Sequence, residues 1–406
     1  MNIIETIKTL AEEGKERCIT WRRYLHAHPE LSFHEVETSS YIARQLHSLG
    51  FDHVMTIGDT GVFVTLEGKS KGKTILLRAD IDALPIQEHS SASYASTLPG
   101  VMHACGHDAH TAMLLLATQI LASLKTEWDG TIKILFQPAE EVIPGGALKV
   151  MADGILEKPT VERAIGQHVF PALPIGKVGI RPGKFMASSD NFFITIHGRG
   201  GHAAMPETLV DPVLIAGHVI VALQQLVSRN RNPRVPTVLS IGKVAANGSN
   251  NVIPDEVTLD GTFRTMDNEW RERALVQLKK LATDLCESMG ATCTVEIARG
   301  YPYLHNDEKL AAEIKKSMEE YVGANNVVDM EIWMAAEDFA HYSHRLPSVF
   351  YVVGVGNDIK KTTSGLHTPT FDIDEDVLSL GAGLMAWLAI KQLAMINEQR
   401  ATSIKQ

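Results

Sequence analysis

Short apolar runs that alternate with a helical segment constrain the fold of this chain more than any other feature of its sequence. Runs rich in β-branched residues occur at 62–66, 74–79, 131–137 and 163–169, and a segment with helical character lies among them at 108–124. Buried strands that alternate with helices are typical of an α/β layer with a largely parallel sheet. The sequence therefore predicts an α/β domain in this part of the chain.

The pattern changes after residue 185. The predicted elements become strand, helix, two strands, helix and strand, at 191–197, 211–229, 237–245, 256–264, 268–289 and 292–299. This β-α-β-β-α-β order is a complete ferredoxin-like unit. Because the chain after residue 300 returns to elements of the first type, we predict one discontinuous α/β domain, 1–185 and 300–406, interrupted by a smaller α+β domain, 186–299. Two domains also fit the length, since single cores stop growing at about 250–300 residues.

Composition argues against several classes of partner. The chain has 38 Lys and Arg against 48 Asp and Glu, and its net charge of -10 argues against binding to nucleic acid or anionic lipid. No run approaches the roughly 18 consecutive apolar residues of a membrane span, and residues 1–15 are acidic and amphipathic, unlike a secretory leader. The 4 cysteines form no disulfide framework in so long a chain. We therefore expect a cytoplasmic protein without a nucleic-acid or membrane partner.

Titratable side chains follow the ends of the predicted strands. In an open α/β sheet, ligands bind beyond the carboxyl ends of the strands. The side chains that directly follow or end a predicted strand are Asp80, Asp82, Glu140, Glu141 and His168. We therefore expect four acids and an imidazole at one edge of the sheet.

A cysteine and a histidine two residues apart precede the predicted helix at 108–124. Gly106 lies between Cys105 and His107 and lets the backbone bend so that both side chains turn inward. A thiolate and an imidazole together are good ligands for a borderline metal such as Zn²⁺. A buried cysteine is ordinarily a small apolar residue, but His103 and His110 nearby have no packing rationale. This segment therefore predicts a metal site.

The adjacent acids Glu140 and Glu141 follow an apolar strand, although adjacent acids in a turn are most often solvated. If both reach a metal pocket, one carboxylate ligates and the other accepts a proton from metal-bound water. His367 lies in a turn bounded by glycine and proline, at 365–369. A histidine in a loop is usually a surface residue, so His367 contributes only if the fold brings it to the same edge.

Several short blocks, in one order along nearly the whole chain, resemble those of a known family. The blocks are 22–30, 78–85, 103–110, 137–141, 200–204, 251–254, 261–264, 337–339 and 365–369. They resemble the metal-dependent amidohydrolase and peptidase family that contains aminoacylases, hippurate hydrolases and auxin-conjugate hydrolases. The resemblance implies a zinc-peptidase-like α/β catalytic domain with a central mixed sheet, interrupted by an inserted ferredoxin-like domain that serves as a lid and dimerisation surface.

The resemblance also implies a metal centre. It assigns Glu140 as the general base, and the metal ligands as Cys105, His107, Glu141, His168 and His367. This set suggests two divalent ions per subunit, Zn or Mn, with Co or Ni as further options. Asp82 then orients a ligand imidazole from outside the ligand set. Asp80 departs from more distant branches of the superfamily, which place a His ligand there, so a single tightly held ion with a weaker second one stays open.

The inserted domain carries three further candidates. By resemblance, His202 stabilises the oxyanion of the tetrahedral intermediate, within one subunit or across a homodimer or homotetramer. Arg264 suits a substrate carboxylate, because guanidinium pairs with carboxylate through two hydrogen bonds, and Asn251 is assigned to substrate binding with it. The alternatives are a surface charge at Arg264 and a residue that only shapes a turn at Asn251.

These assignments favour a metal-dependent hydrolase that cleaves the amide bond of small N-acyl amino acids. A dipeptidase or carboxypeptidase with the same site is the nearest alternative. A second hypothesis makes Cys105 a nucleophile with His107 as its base, but it leaves the acids and the other imidazoles without a common purpose. A third hypothesis is a metal-stabilised binding protein without turnover, for which an unliganded Glu140 has no use.

Overall fold

The computed structural model describes residues 2–404, with side chains as far as residue 398. Within this range the α-helices are α1 Ile3–Glu13, α2 Lys15–Ala27, α3 Val36–Ser48, α4 His107–Ser123, α5 Gly146–Ala152, α6 Pro212–Gln225, α7 Asn268–Ser288, α8 Glu308–Val322, α9 Ala340–Ser343 and α10 Val377–Ile404. The strands are β1 Met55–Ile57, β2 Gly61–Glu67, β3 Thr74–Asp80, β4 Thr131–Gln137, β5 Val161–Pro174, β6 Val178–Ile180, β7 Gly183–Met186, β8 Asp190–His197, β9 Gly201–His202, β10 Thr237–Ala246, β11 Val252–Ile253, β12 Glu256–Thr265, β13 Thr292–Arg299, β14 Leu304–Asn306, β15 Val327–Asp329 and β16 Ser348–Gly356.

The chain divides into two compact units. The first contains the residues up to Phe185, His305–Glu331 and the residues from His341 onward, and the second contains Met186–Leu304 and Ile332–Ala340. The order of elements along the sequence predicts 332–340 in the first domain, whereas the structure groups this segment with the second unit. The reason is backbone pairing, because the Ala187 amide donates hydrogen bonds to the carbonyl oxygens of Trp333 and Ala335.

The first unit is built on an eight-stranded sheet in the order β1-β2-β4-β3-β5-β16-β6-β15. Strands β4, β3, β5 and β16 run parallel to one another, as does the pair β6 and β15. The pairs β1 with β2, β2 with β4, and β16 with β6 are antiparallel. The sheet is therefore mixed, as the resemblance implied, with a parallel centre of four strands and one parallel pair at its edge. Strands β3 and β16 are buried along their whole length, as expected for strands covered on both faces.

Helix α4 is apolar on nearly all sides and carries part of the predicted site in its first turn. It packs against α1, α2, α10 and β3 in the core of the first unit, which explains a helix without a polar face. Its N-cap is Gly106, whose φ of 85° is left-handed, and a Cβ at this position would overlap the Val169 side chain. Glycine at this position therefore permits the bend between Cys105 and His107.

Two helical segments are long and apolar enough to cross a membrane by length and composition, although neither is an uninterrupted apolar run. They are Pro212–Asn230 and Val377–Glu398. The second is 78% buried within the structure, and α10, which contains it, packs against α1, α4 and α8. Burial in a protein core accounts for the apolar composition of this helix.

The second unit contains a four-stranded antiparallel sheet in the order β10-β12-β8-β13. Helices α6 and α7 pack against its strands around an apolar core. The chain order β8-α6-β10-β12-α7-β13 is the ferredoxin-like order predicted from the sequence. A buried ion pair joins β8 to α7, where the Arg271 guanidinium donates to both carboxylate oxygens of Asp190 at 2.6 and 2.7 Å.

Candidate metal centre

The strand ends of the first unit bring the predicted acids together. Asp80 is the last residue of β3 and pairs in register with Gln137, the last residue of β4. Because the two strands are parallel, the segments that follow them leave the same edge of the sheet. His168 lies within β5, which continues to Pro174, whereas the sequence analysis predicted that this strand ends at 169.

Ligand atoms of the five predicted ligands converge in the first unit. Cys105 Sγ lies 3.4 Å from His168 Nε2 and 3.3 Å from His367 Nε2. Glu141 Oε1 lies 3.3 Å from His367 Nε2 and 3.8 Å from His107 Nε2. These separations are those of atoms that share one ion, because two ligands at Zn²⁺ bond lengths and tetrahedral angles lie about 3.5 Å apart.

The loop that carries His367 reaches this cluster through its backbone. The His367 amide donates a hydrogen bond of 2.8 Å to the carbonyl oxygen of Ala104, next to Cys105. The fold therefore brings His367 to the other predicted ligands, which was the condition for a role in the site. Glu140 also lies beside the cluster, since its carboxylate, the Glu141 carboxylate and His107 offer ligand atoms within 4.8 Å of one another.

The donor set fits a divalent cation. The buried atoms His107 Nε2 and Glu141 Oε1 make no hydrogen bond to any described residue, and a buried polar atom without a partner costs about 1–3 kcal/mol. A cation between them would satisfy both atoms. The combination of thiol, imidazole and carboxylate is also the donor chemistry that zinc sites use.

Asp82 connects two parts of the cluster. His107 Nδ1 lies 2.9 Å from the Asp82 carbonyl oxygen and 3.2 Å from its Oδ1, which leaves Nε2 directed at the ligand atoms. The other carboxylate oxygen, Oδ2, accepts hydrogen bonds from Ser32 Oγ at 2.6 Å and from the Glu141 amide at 2.9 Å. Asp82 thus contacts the ring of His107 and the backbone amide of Glu141, both of which belong to predicted ligands. Contacts of this kind are how a carboxylate outside the ligand set orients ligands.

A buried pair without a predicted role, Asp80 and His110, lies next to His107. His110 Nδ1 donates to Asp80 Oδ1 at 2.6 Å, and His110 Nε2 accepts from the Val169 amide at 2.9 Å. The ring of His110 lies 4.5 Å from that of His168. The available sequence signal was the three-residue spacing of His107 and His110, which places both on one face of a helix.

The charges of the site favour bound cations. Burial lowers the pKa of His107, but the carboxylates of Asp80, Asp82 and Glu141 outweigh it and raise that pKa to about 10. Burial, followed by the charges of Glu141 and Glu140, raises the pKa of the Cys105 thiol well above its ordinary value. Carboxylates therefore dominate the potential at the ligand atoms, and a positive ion would relieve their repulsion.

The candidates in the inserted domain lie in the second unit, where their local surroundings differ. His202 is exposed in the ribbon that β9 forms with β11, and its Nδ1 accepts from the Ala204 amide at 3.1 Å. Asn251 is exposed and accepts a 3.0 Å hydrogen bond from Ser249 Oγ. Both side chains are therefore available to solvent in this unit.

Arg264 has a different environment from these two residues. It is half-buried on β12, and its Nη1 donates a 3.3 Å hydrogen bond to the Met334 carbonyl oxygen. Burial lowers the pKa of Arg264, and no acidic side chain in the described part of the chain forms an ion pair with it. A half-buried guanidinium without a carboxylate partner is suited to an anionic ligand.

Comparisons with known proteins give a consistent result. The sequence model of Peptidase family M20/M25/M40 matches residues 76–391. An N-acyl-L-amino acid amidohydrolase of Geobacillus stearothermophilus is 42% identical over 75% of this chain and 82% of its own length. Thermostable carboxypeptidase 2 of Saccharolobus solfataricus is 36% identical over 96% of this chain and 99% of its own length. The crystal structure of the Bacillus subtilis YXEP protein, described as a dinuclear metal-binding peptidase, has a TM-score of 0.80 and 35% identity over 94% of this chain and 99% of that one.

Proposed function

This chain belongs to peptidase family M20/M25/M40, and from that premise we propose that it hydrolyses the amide bond of N-acyl amino acids to a carboxylic acid and a free amino acid. It is a metal-dependent amidohydrolase. The observation that carries the proposal is the convergence of a thiol, three imidazoles and a carboxylate beside a second carboxylate, Glu140. The relative named as an N-acyl-L-amino acid amidohydrolase supports the substrate class.

The proposed ligands are Cys105, His107, Glu141, His168 and His367, and we propose that they hold two divalent ions, Zn or Mn, with Co or Ni as further options. The dinuclear relative from B. subtilis supports this stoichiometry. Bound divalent ions would polarise the amide carbonyl and lower the pKa of the attacking water. Glu140 accepts the proton of that water and returns it to the amide nitrogen as the C–N bond breaks. Asp82 keeps His107 and Glu141 in place through the hydrogen bonds described above.

In the second unit, we assign Arg264 to the substrate carboxylate, Asn251 to substrate binding and His202 to the oxyanion, in a homodimer or homotetramer. The first unit then serves as the catalytic domain, and the second unit as the lid and dimerisation domain, in a cytoplasmic protein. The lack of an acidic partner for Arg264 within the described residues supports its assignment, because a substrate carboxylate would supply one.

Arg264→Met should raise KM for N-acyl amino acids with a smaller effect on kcat. A hydrogen bond to a charged group contributes about 1.5–3 kcal/mol, so the expected increase is about 10-fold to 100-fold. The measurement is steady-state kinetics on an N-acyl amino acid and on its carboxamide, which lacks the charge. The exposed Arg234→Met is the matched control. Equal KM values for Arg264→Met and Arg234→Met would remove Arg264 from the substrate site.

Metal removal tests the function as a whole. We expect chelator-stripped protein to release no amine from acetyl-, benzoyl- or indole-acetyl-amino acids, and expect Zn²⁺, Mn²⁺, Co²⁺ or Ni²⁺, added singly, to restore release. A dipeptide series in the same assay separates an aminoacylase from a carboxypeptidase, the activity in the name of one relative. Activity that survives stripping would favour Cys105 as nucleophile. No release with any metal would favour a binding protein.

The environment of Cys105 argues against the nucleophile hypothesis. A nucleophilic thiol requires a lowered pKa or an adjacent base, whereas burial and the neighbouring carboxylates raise the pKa of this thiol. The metal-dependent reaction therefore remains the better account of the site.

A further inference from the structure

A buried carboxylate far along the sequence from the site contacts the loop that carries Glu140 and Glu141. Glu35 is fully buried. Its Oε1 accepts a 2.8 Å hydrogen bond from the Ala139 amide, and its Oε2 accepts a 2.7 Å hydrogen bond from Thr60 Oγ1. Burial raises the pKa of Glu35, although these two hydrogen bonds oppose the increase.

The side chain of Glu35 does not cap the helix that it precedes. It is the N-cap residue of α3, but its side chain makes no capping hydrogen bond to that helix. An N-cap carboxylate ordinarily accepts from an amide in the first turn of its own helix. Both oxygens of Glu35 instead accept hydrogen bonds from residues outside α3, so the side chain connects the start of α3 to the Ala139 loop and to the turn that contains Thr60.

The loop needs this support because its backbone is unusual. Ala139 has a φ of 54°, in the left-handed region that residues with a Cβ seldom adopt. Its carbonyl oxygen accepts a 2.8 Å hydrogen bond from the Gly146 amide, and a Cβ at Gly146 would overlap the Pro138 carbonyl oxygen. Both polar backbone groups of Ala139 are therefore held, and Glu35 supplies the acceptor for one of them.

Two buried acids thus hold the loop on either side of Glu140. Glu35 accepts the amide of the preceding residue, Ala139, and Asp82 accepts the amide of the following residue, Glu141. Two adjacent carboxylates can perform different tasks only if the backbone between them directs each side chain separately. Fixing both flanking amides fixes that direction.

We propose that Glu35 is a positioning residue which, through the Ala139 amide, sets the placement of the base Glu140 and of the ligand Glu141. The proposal rests on the roles given to these two residues in the proposed function. A carboxylate suits the position because it offers an acceptor to each of two donors, the Ala139 amide and the Thr60 hydroxyl.

Three variants separate positioning from packing. Glu35→Ala removes both acceptors. Glu35→Gln keeps a carbonyl oxygen for the Ala139 amide and presents its NH₂ to Thr60 Oγ1, which can accept. Thr60→Val removes the other hydrogen bond of Glu35 and leaves the bond to Ala139 intact. If Glu35→Ala does not fold, Glu35→Asp, one methylene shorter and unable to reach both donors, takes its place.

In the metal-loaded enzyme we expect Glu35→Ala to lower kcat about 100-fold, the effect of a displacement of about 1 Å in the reacting groups, with KM little changed. Co²⁺ affinity should fall about 10-fold to 100-fold, as on loss of other residues that support metal ligands. In the metal-free state, hydrogen–deuterium exchange at the Ala139 amide should be faster in Glu35→Ala than in the wild type. Glu35→Gln should restore most of the rate, and Thr60→Val should stay near wild type.

Wild-type kcat per folded molecule in Glu35→Ala would overturn the proposal. Equal losses in Thr60→Val and Glu35→Ala would also overturn it, because general packing would then explain both. The Co²⁺ and exchange measurements need no substrate. If the wild type cleaves no N-acyl amino acid, the proposed function fails, while weaker Co²⁺ binding and faster Ala139 exchange in Glu35→Ala would still support the positioning role.

Discussion

Glu140→Gln is expected to lower turnover by about 10²-fold to 10⁴-fold, the usual contribution of a general base, while the metal content stays near that of the wild type. The change replaces one carboxylate oxygen by NH₂ at nearly constant size, so the side chain can no longer accept the proton of the attacking water. The measurements are kcat at saturating substrate and metal content of the purified protein by elemental analysis.

The neighbouring residue provides the matched control for this experiment. Glu141→Gln makes the same chemical change one position along the chain, but Glu141 Oε1 lies among the proposed ligand atoms. We expect this variant to lose bound metal, and its activity should recover at raised metal concentration. Wild-type turnover in Glu140→Gln would remove Glu140 as the base, and loss of metal in that variant would make it a ligand.

The order of elements was predictable because hydrophobic period and length distinguish strands from helices. The apolar run at 131–137 is β4 with the same bounds, and the run at 74–79 is β3, which continues by one residue to Asp80. The placement of residues 332–340 was not predictable, because backbone hydrogen bonds to Ala187 decide it and no side-chain pattern reports such bonds.

The predicted metal ligands could be found because strand ends and short motifs concentrate them in sequence. His367 is the exception among them, since only the resemblance placed it in the site, and the structure joins it through the Ala104 carbonyl oxygen. Supporting residues were harder to identify. Glu35 lies 104 positions from Ala139, in a segment without neighbouring candidate ligands, so nothing local distinguishes it from a surface acid. Its full burial and two hydrogen bonds are properties of the fold alone.

Cys105→Ser is expected to weaken metal binding and to lower activity in parallel. Loss of a residue that only supports the ligands weakens metal binding by roughly 10-fold to 100-fold, and loss of a ligand should have a larger effect. A serine hydroxyl stays protonated near neutral pH and is a poor ligand where a thiolate is a good one. The measurement is titration of the stripped protein with Co²⁺, for which the wild type should show thiolate-to-cobalt charge-transfer absorption and the variant should not. The partly exposed Cys293→Ser is the control.

Loss of activity in Cys105→Ser does not by itself separate a ligand from a nucleophile, so a second substitution is needed. Cys105→Asp offers a carboxylate, which can bind a divalent ion. If Cys105 is a ligand, the aspartate variant should bind metal more tightly than the serine variant and regain part of the activity. If Cys105 is the nucleophile, both variants should be equally inactive and both should keep their metal. The second outcome would overturn the ligand assignment, because the carboxylate would then restore nothing that the thiol supplied.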